Sequence, residues 1–386
     1  MFTKKKLKIN RHLFYETSHS PSLVDIVGEK MLSKVTDFCF IANPYFPDKR
    51  LTKKLQDRLP MLMKSYPSSN PRLSQELLAK VLHVKPEQLL IGNGASELIT
   101  IIQKEFIDDF AIPVPTFSEY TDKLKKQECA HLFQLPPEKN YQLDLDEYAR
   151  WIDEHGITSA LIINPGNPTG QLLSLNDMIV FLNRMQHLRL IIVDESFMDF
   201  AAEDIPSLLP HVKHHPNVII VRSMSKHCGV PGLRLGYCCT ANMELLKRLR
   251  GLTPVWNINT IAEYFVSQLP ATDAQYQKAR LRVIKDVRYL YNELKNLDGF
   301  LAYPTASNFV LIKILCGLNA TELQHKLLEE YHLYVRDCSN KTGMDKLHIR
   351  VASQGMAKDK LLIAALKGIS AQYTASSKQQ ELHQSK

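Results

Sequence analysis

Six short apolar runs recur through the middle of the chain: Leu89–Ile91, Ala111–Val114, Ala160–Ile163, Leu190–Val193, Val218–Val221 and Leu235–Cys239. Helix-length segments separate them. A strand with one wet face alternates apolar and polar residues, whereas these runs are continuously apolar and suit burial on both faces. The pattern confines the chain to an α/β fold with a mostly parallel sheet between layers of helices. After Pro254 the pattern changes. A long helical stretch, about 259–297, leads to a strand at Asn308–Ile314, a helix at Thr321–Glu330, and strands near Leu333–Arg336 and Leu347–Val351. The expected organisation is a large domain at 51–255 and a smaller α+β domain at 256–370. Residues 1–50 pack with the smaller domain, and a flexible tail follows from 371 to 386, where apolar periodicity is lost.

Composition narrows the function classes. The 386 residues are 45% hydrophobic and 23% charged, which allows two domains with sizeable cores. No apolar run reaches membrane-spanning length. The start, with Lys4, Lys5, Lys6 and Lys8, has no apolar stretch behind it and reads as a solvated arm rather than a secretory signal or a nucleic-acid or membrane tether. Seven cysteines without C-x-x-C spacing argue against a metal site or disulfide framework and for a cytoplasmic location. The formal charge of +8 comes from scattered lysines and arginines, compatible with anionic small substrates.

The richest chemistry lies in Ser223-Met224-Ser225-Lys226-His227-Cys228-Gly229-Val230-Pro231-Gly232-Leu233-Arg234. Two hydroxyls precede the lysine, and an arginine follows beyond a Pro-Gly turn. This suits a Schiff-base lysine beside a phosphate cradle of hydroxyls and a guanidinium. A surface lysine next to a turn is the plainer alternative. Gly92-Asn93-Gly94-Ala95-Ser96-Glu97 joins the first strand to an apolar helix, where glycine, amides and Ser96 can meet an anion; tight turns also need glycine. Further along stand Asn164-Pro165-Gly166-Asn167-Pro168-Thr169-Gly170 after one strand and Asp194 after another. Glu195 and Asp199 compete with Asp194 for any carboxylate role.

In this order, over roughly residues 37–365, these segments resemble the class I/II aminotransferases, which are fold-type I enzymes of pyridoxal 5'-phosphate (PLP). The resemblance implies Lys226 as the cofactor lysine and Gly94, Ala95, Ser96, Ser223, Ser225 and Arg234 around the phosphate. It places Asp194 on the pyridinium nitrogen, Asn167 on the ring 3-oxygen and Phe117 against the ring. Phe197 stands where many aminotransferases carry a tyrosine. Tyr66 resembles a tyrosine that reaches the cofactor phosphate of a neighbouring subunit, implying a homodimer. Arg350 resembles the arginine that clamps the substrate carboxylate, with Asn308 and Arg336 as further substrate-binding candidates.

Within that superfamily the chain looks similar to the branch of histidinol-phosphate aminotransferases and threonine-phosphate decarboxylases. The main expectation is transamination between a small, acidic or phosphorylated α-amino acid and a 2-oxo acid. Decarboxylation of an O-phospho-amino acid is the alternative, and a non-catalytic binding protein is a minor one. Phe197, Trp256-Asn257-Ile258-Asn259 and Arg336-Asp337-Cys338-Ser339-Asn340 lean toward the decarboxylases. His19-Ser20-Pro21-Ser22 and Gln354 depart from their pattern and weaken the expected phosphate pocket.

Overall fold

The fold is described from a computed structural model covering residues 6–16 and 19–384, with backbone only for 374–384. Lys4 and Lys5 lie outside the described residues. The chain divides into two compact units, the larger formed by Ala42–Asn167 and Gln171–Arg282. The smaller gathers the residues before Ala42, Pro168–Gly170 and those from Val283 onward.

All six expected strands form in the larger unit. They are β1 (Leu89–Asn93), β2 (Phe110–Val114), β4 (Ser159–Ile163), β5 (Leu190–Asp194), β6 (Val218–Ser223) and β7 (Leu235–Cys239), joined by β3 (Ala130–Gln134). The order is β1-β7-β6-β5-β4-β2-β3, and β7 alone runs against the others. Strands β2, β5, β6 and β7 are buried at every residue, as their unbroken apolar sequences require. The sequence pattern missed β3 because it is a half-exposed edge strand with no continuous apolar run. This topology places the C-terminal ends of β1, β2, β4, β5 and β6, and the N-terminal end of the reversed β7, along one edge of the sheet. Ligands of open α/β sheets bind at that edge.

The smaller unit holds an antiparallel sheet of β8 (Phe300–Ala302), β9 (Phe309–Ile314), β10 (Arg336–Asp337) and β11 (His348–Ala352), in the order β10-β11-β9-β8. Its core includes Phe38, Leu290, Leu323, Val351 and Leu366. The N-terminal stretch belongs here. Thr36–Asp37 pairs in parallel with Leu333–Tyr334, and Ala352 donates its N–H to the Phe38 carbonyl at 2.8 Å. Lys6 is not purely solvated, since its ammonium lies 3.1 Å from Glu329, which also binds Arg11.

Several boundaries differ from the sequence reading. The stretch at 259–297 is two helices, Thr260–Gln268 and Asp273–Lys295, parted by a turn at Leu269–Ala271. Pro270 in that turn has no N–H to continue the first helix. Helix Thr260–Gln268 packs on helices Lys49–Leu62 and Arg72–Leu82, which draws residues 256–282 into the larger unit. The helix at 321–330 is Ala320–Lys326 followed by a wider turn, Leu327–Tyr331. Helix Met356–Gln384 runs through most of the segment expected as a tail.

Candidate active site

At the end of β1, Gly94 takes a left-handed φ of 79° and starts helix Ala95–Phe106. Leu98, Ile99, Ile102 and Phe106 bury one face of that helix in the core. No side chain caps its first amides, which leaves them available to an anion. A Cβ on Gly94 would collide with the Arg234 guanidinium, and one on Gly236 with the backbone of Gly94 and Ala95. Glycine is therefore required at both places for the arginine and β7 to approach the helix start. Ser96 is half-buried at the same start, and Ser223 ends β6. Ser225 is 2% exposed and its hydroxyl has no hydrogen-bond partner among the described residues. An unpaired buried hydroxyl costs about 1–3 kcal/mol, and an oxygen of a bound anion would relieve that cost. Helix amides, serine hydroxyls and a guanidinium are the donor set that a phosphate monoester such as that of PLP needs.

Asp194 ends β5 and is buried. Its Oδ2 accepts from the Tyr120 hydroxyl at 2.9 Å and its Oδ1 from the Ser196 N–H at 2.9 Å. Burial pushes its pKa up, opposed by the Ser196 and Tyr120 hydrogen bonds and by the positive charge of Lys226. The phenol of Tyr120 is pushed up by burial and by Asp194, which keeps it a donor. A cationic ring nitrogen on Asp194 would supply the charge partner that burial removes from reach of water. The two competitors are otherwise engaged: Arg222 Nε lies 3.5 Å from Glu195 Oε2 and its Nη2 3.3 Å from Asp199 Oδ2.

Lys226 is half-buried on the one-turn helix Met224–His227. Asn43 clamps this turn. Its N–H donates to the Lys226 carbonyl at 2.8 Å and its Nδ2 to the His227 carbonyl at 3.1 Å. Phe117 follows β2, half-buried, its ring edge-on to Tyr120 at 6.3 Å. Asn167 and Phe197 are buried after β4 and β5. Tyr66 is 83% exposed, with its ring 5.2 Å from that of Trp256.

In the smaller unit, Arg336 and Arg350 are cross-strand partners on β10 and β11, and both are buried. Like charges directly opposite one another are unfavourable. Arg336 donates to Asn340 Oδ1 at 2.7 Å and Arg350 to the Cys39 carbonyl at 3.4 Å. Asp37, whose Oδ1 accepts the Cys39 N–H at 2.8 Å, adds one negative charge. Burial raises its pKa to about 6, against backbone hydrogen bonds and Arg350 that lower it. Asn308 is fully buried, and neither polar atom of its amide has a hydrogen-bond partner among the described residues. Gln354 donates to the Phe40 carbonyl at 2.7 Å. Tyr120, Ser196, Arg222 and Asn43 were not picked out from sequence. An arginine inside an otherwise apolar strand was the one available signal, for Arg222.

The raised Asp37 value has a consequence for stability. The folded state holds that proton more tightly than the unfolded chain, so stability falls as pH rises from 3.8 through about 6. Asp37→Asn is therefore expected to raise the melting temperature at pH 8, with the gain shrinking toward pH 5. A melting temperature at pH 8 equal to or below that of the unaltered protein would contradict this electrostatic assignment.

Residues 33–366 match the model of a family described as aminotransferase class I and II. The chain belongs to this family. It is 35% identical over 91% of its length to L-serine phosphate decarboxylase of Sulfurospirillum multivorans, covering 93% of that protein. The solved structure of a decarboxylase from the same organism superposes with a TM-score of 0.82 at 33% identity, covering 94% of each chain. Histidinol-phosphate aminotransferase from Clostridium acetobutylicum superposes with a TM-score of 0.80 at 26% identity, over 88% of this chain and all of that one. Class I and II aminotransferases are PLP-dependent, and the fold is that of the fold-type I PLP enzymes. The family's cofactor agrees with the open helix start, the Arg234 fork and the orphaned Ser225 hydroxyl. No helix among the described residues is long and apolar enough to cross a membrane.

Proposed function

We propose that this family member is a PLP-dependent decarboxylase acting on a small O-phosphorylated α-amino acid, with O-phosphoserine the first candidate. The observation that carries the reading is the buried cross-strand pair of Arg336 and Arg350. Two desolvated guanidiniums are best answered by two anionic groups, and a phospho-amino acid brings a carboxylate and a phosphate. Support also comes from the relative named L-serine phosphate decarboxylase, similar over nearly its whole length. These points favour the decarboxylase alternative over the transamination expected first from sequence.

In this reading Arg350 grips the substrate carboxylate and Arg336 the phosphate, while the Asn308 amide takes polar atoms of the substrate. Gln354 has a neutral amide instead of a second guanidinium, and that amide donates to the Phe40 carbonyl. Gly94, Ala95, Ser96, Ser223, Ser225 and Arg234 hold the cofactor phosphate, Asp194 its ring nitrogen, Asn167 its 3-oxygen and Phe117 its face. When bound, PLP supplies the electron sink that lets a bond at the substrate Cα break. Lys226 then delivers a proton to Cα in place of the departed carbon dioxide. Phe197 has no hydroxyl with which to add a donor.

The purified protein with PLP and O-phosphoserine is expected to release carbon dioxide and O-phosphoethanolamine in equal amounts, with no 2-oxo acid required. Turnover that needs a 2-oxo acid and releases no carbon dioxide would overturn the reading and restore transamination. We also infer a homodimer, because Tyr66, Trp256, Met63 and Val255 leave large apolar side chains exposed on the larger unit. Light scattering should give twice the 44.2 kDa chain mass; a monomer would remove Tyr66 from any shared site.

A further inference from the structure

Behind Asp194 and Lys226 lies a buried set of charges that the contacts above leave unused. Arg222, 3% exposed, is its centre. Its Nε donates to the Glu195 carbonyl at 3.2 Å and its Nη1 to the Tyr237 hydroxyl at 3.2 Å, and Nη2 faces Asp199. Glu195 accepts from Ser207 Oγ at 2.6 Å and the Leu208 N–H at 2.7 Å. Asp199 accepts from the Tyr276 hydroxyl at 2.5 Å, and that hydroxyl lies 2.9 Å from His227 Nδ1. Arg280 closes the set by donating to the carbonyls of Asp199, Ala202 and Glu203.

The connectivity matters more than the number of contacts. Glu195 directly follows Asp194, and His227 directly follows Lys226. Arg222 thus links the turn bearing the carboxylate directly, and the turn bearing the lysine through Asp199 and Tyr276. Charge is balanced as well: Arg222 and Arg280 against Glu195 and Asp199. Burial holds His227 neutral and lifts Tyr237, Tyr276, Cys228 and Cys239, so none of them adds a charge near neutral pH. A packed apolar plug would stabilise such a spot as well as or better than desolvated ions. Ions kept here point to a task other than stability.

We propose that Arg222 is a positioning residue that fixes how Asp194 and Lys226 face each other and keeps the charge behind the lysine at zero. The inference rests on the reading of Lys226 as the cofactor lysine. Removing Arg222 leaves one negative charge of the Glu195 and Asp199 pair uncompensated, and this favours the protonated form of the nitrogen on Lys226. With PLP bound, Arg222→Gln is expected to shift the pH midpoint of the visible absorbance band upward by about half a unit or more. Arg222→Lys should bring it back toward the original value. Asp199→Asn, which removes an anion, should move it downward and serves if Arg222→Gln does not fold. A merely structural arginine would lower the melting temperature and leave the midpoint in place. Unmoved midpoints in both Arg222→Gln and Asp199→Asn overturn the proposal. A Lys226→Ala control separates the two levels: a visible band surviving there overturns the assignment of the lysine itself.

Discussion

Lys226→Ala is expected to cut turnover by at least about a thousandfold and to abolish covalent attachment of the cofactor, with the fold intact. The magnitude follows from losing both roles proposed for one nitrogen, anchoring PLP and exchanging the proton at Cα. The fold should survive because the half-buried side chain carries little of the core. The local turn is held instead through the main-chain carbonyl of Lys226, which Asn43 binds whatever side chain follows. Steady-state kinetics, the visible spectrum and far-ultraviolet circular dichroism together test this. Catalysis retained at more than a few per cent of the original, with a normal spectrum, would sink the central assignment.

Arg350→Ala is expected to lower kcat/KM by about 2–4 kcal/mol, on the order of 30- to 1,000-fold, chiefly through KM. The arginine is buried beside Arg336, and alanine would leave a substrate carboxylate in a dry pocket without its fork. Arg336→Ala makes the informative comparison. If Arg336 meets the phosphate, its loss should penalise O-phosphoserine far more than an unphosphorylated amino acid. Arg350→Ala should penalise both alike. Equal penalties from Arg336→Ala would take the phosphate elsewhere, and an unchanged KM in Arg350→Ala would make Arg336 the carboxylate ligand. Structural collapse is not expected to confuse the result, because removing one of two facing guanidiniums relieves a like-charge contact.

Much of this protein was legible before any coordinates. Six strands could be read because strands buried on both faces need continuous apolar sequence, a constraint that acts residue by residue. The proposed phosphate cradle was readable for a similar reason: a backbone that must approach an anion needs glycine at Gly94, and Arg234 and the serines stand close to Lys226 in sequence. Strand β3 was missed because an edge strand carries no such constraint. The long helical stretch expected at about 259–297 is divided at Pro270, whose missing N–H outweighed the helical periodicity around it. Reaction type was ordered wrongly relative to what the relatives support. Losing a proton and losing carbon dioxide use the same lysine and the same aspartate, so the choice leaves almost no mark in local motifs.

The sequence by itself determined the class of fold, through its continuous apolar runs, and the cofactor, through the family resemblance that its glycine, hydroxyl and lysine segments carry. Only the tertiary structure told apart the surroundings of Asp194, Glu195 and Asp199: Arg222 engages the last two, and Tyr120 and Ser196 the first. It alone paired Arg336 with Arg350, fourteen positions apart in sequence but opposite one another across two strands. It alone showed that Ser225 and Asn308 are buried with polar atoms unsatisfied. Burial, charge pairing and hydrogen-bond satisfaction depend on neighbours that only folding brings together, and no local pattern in the chain encodes them.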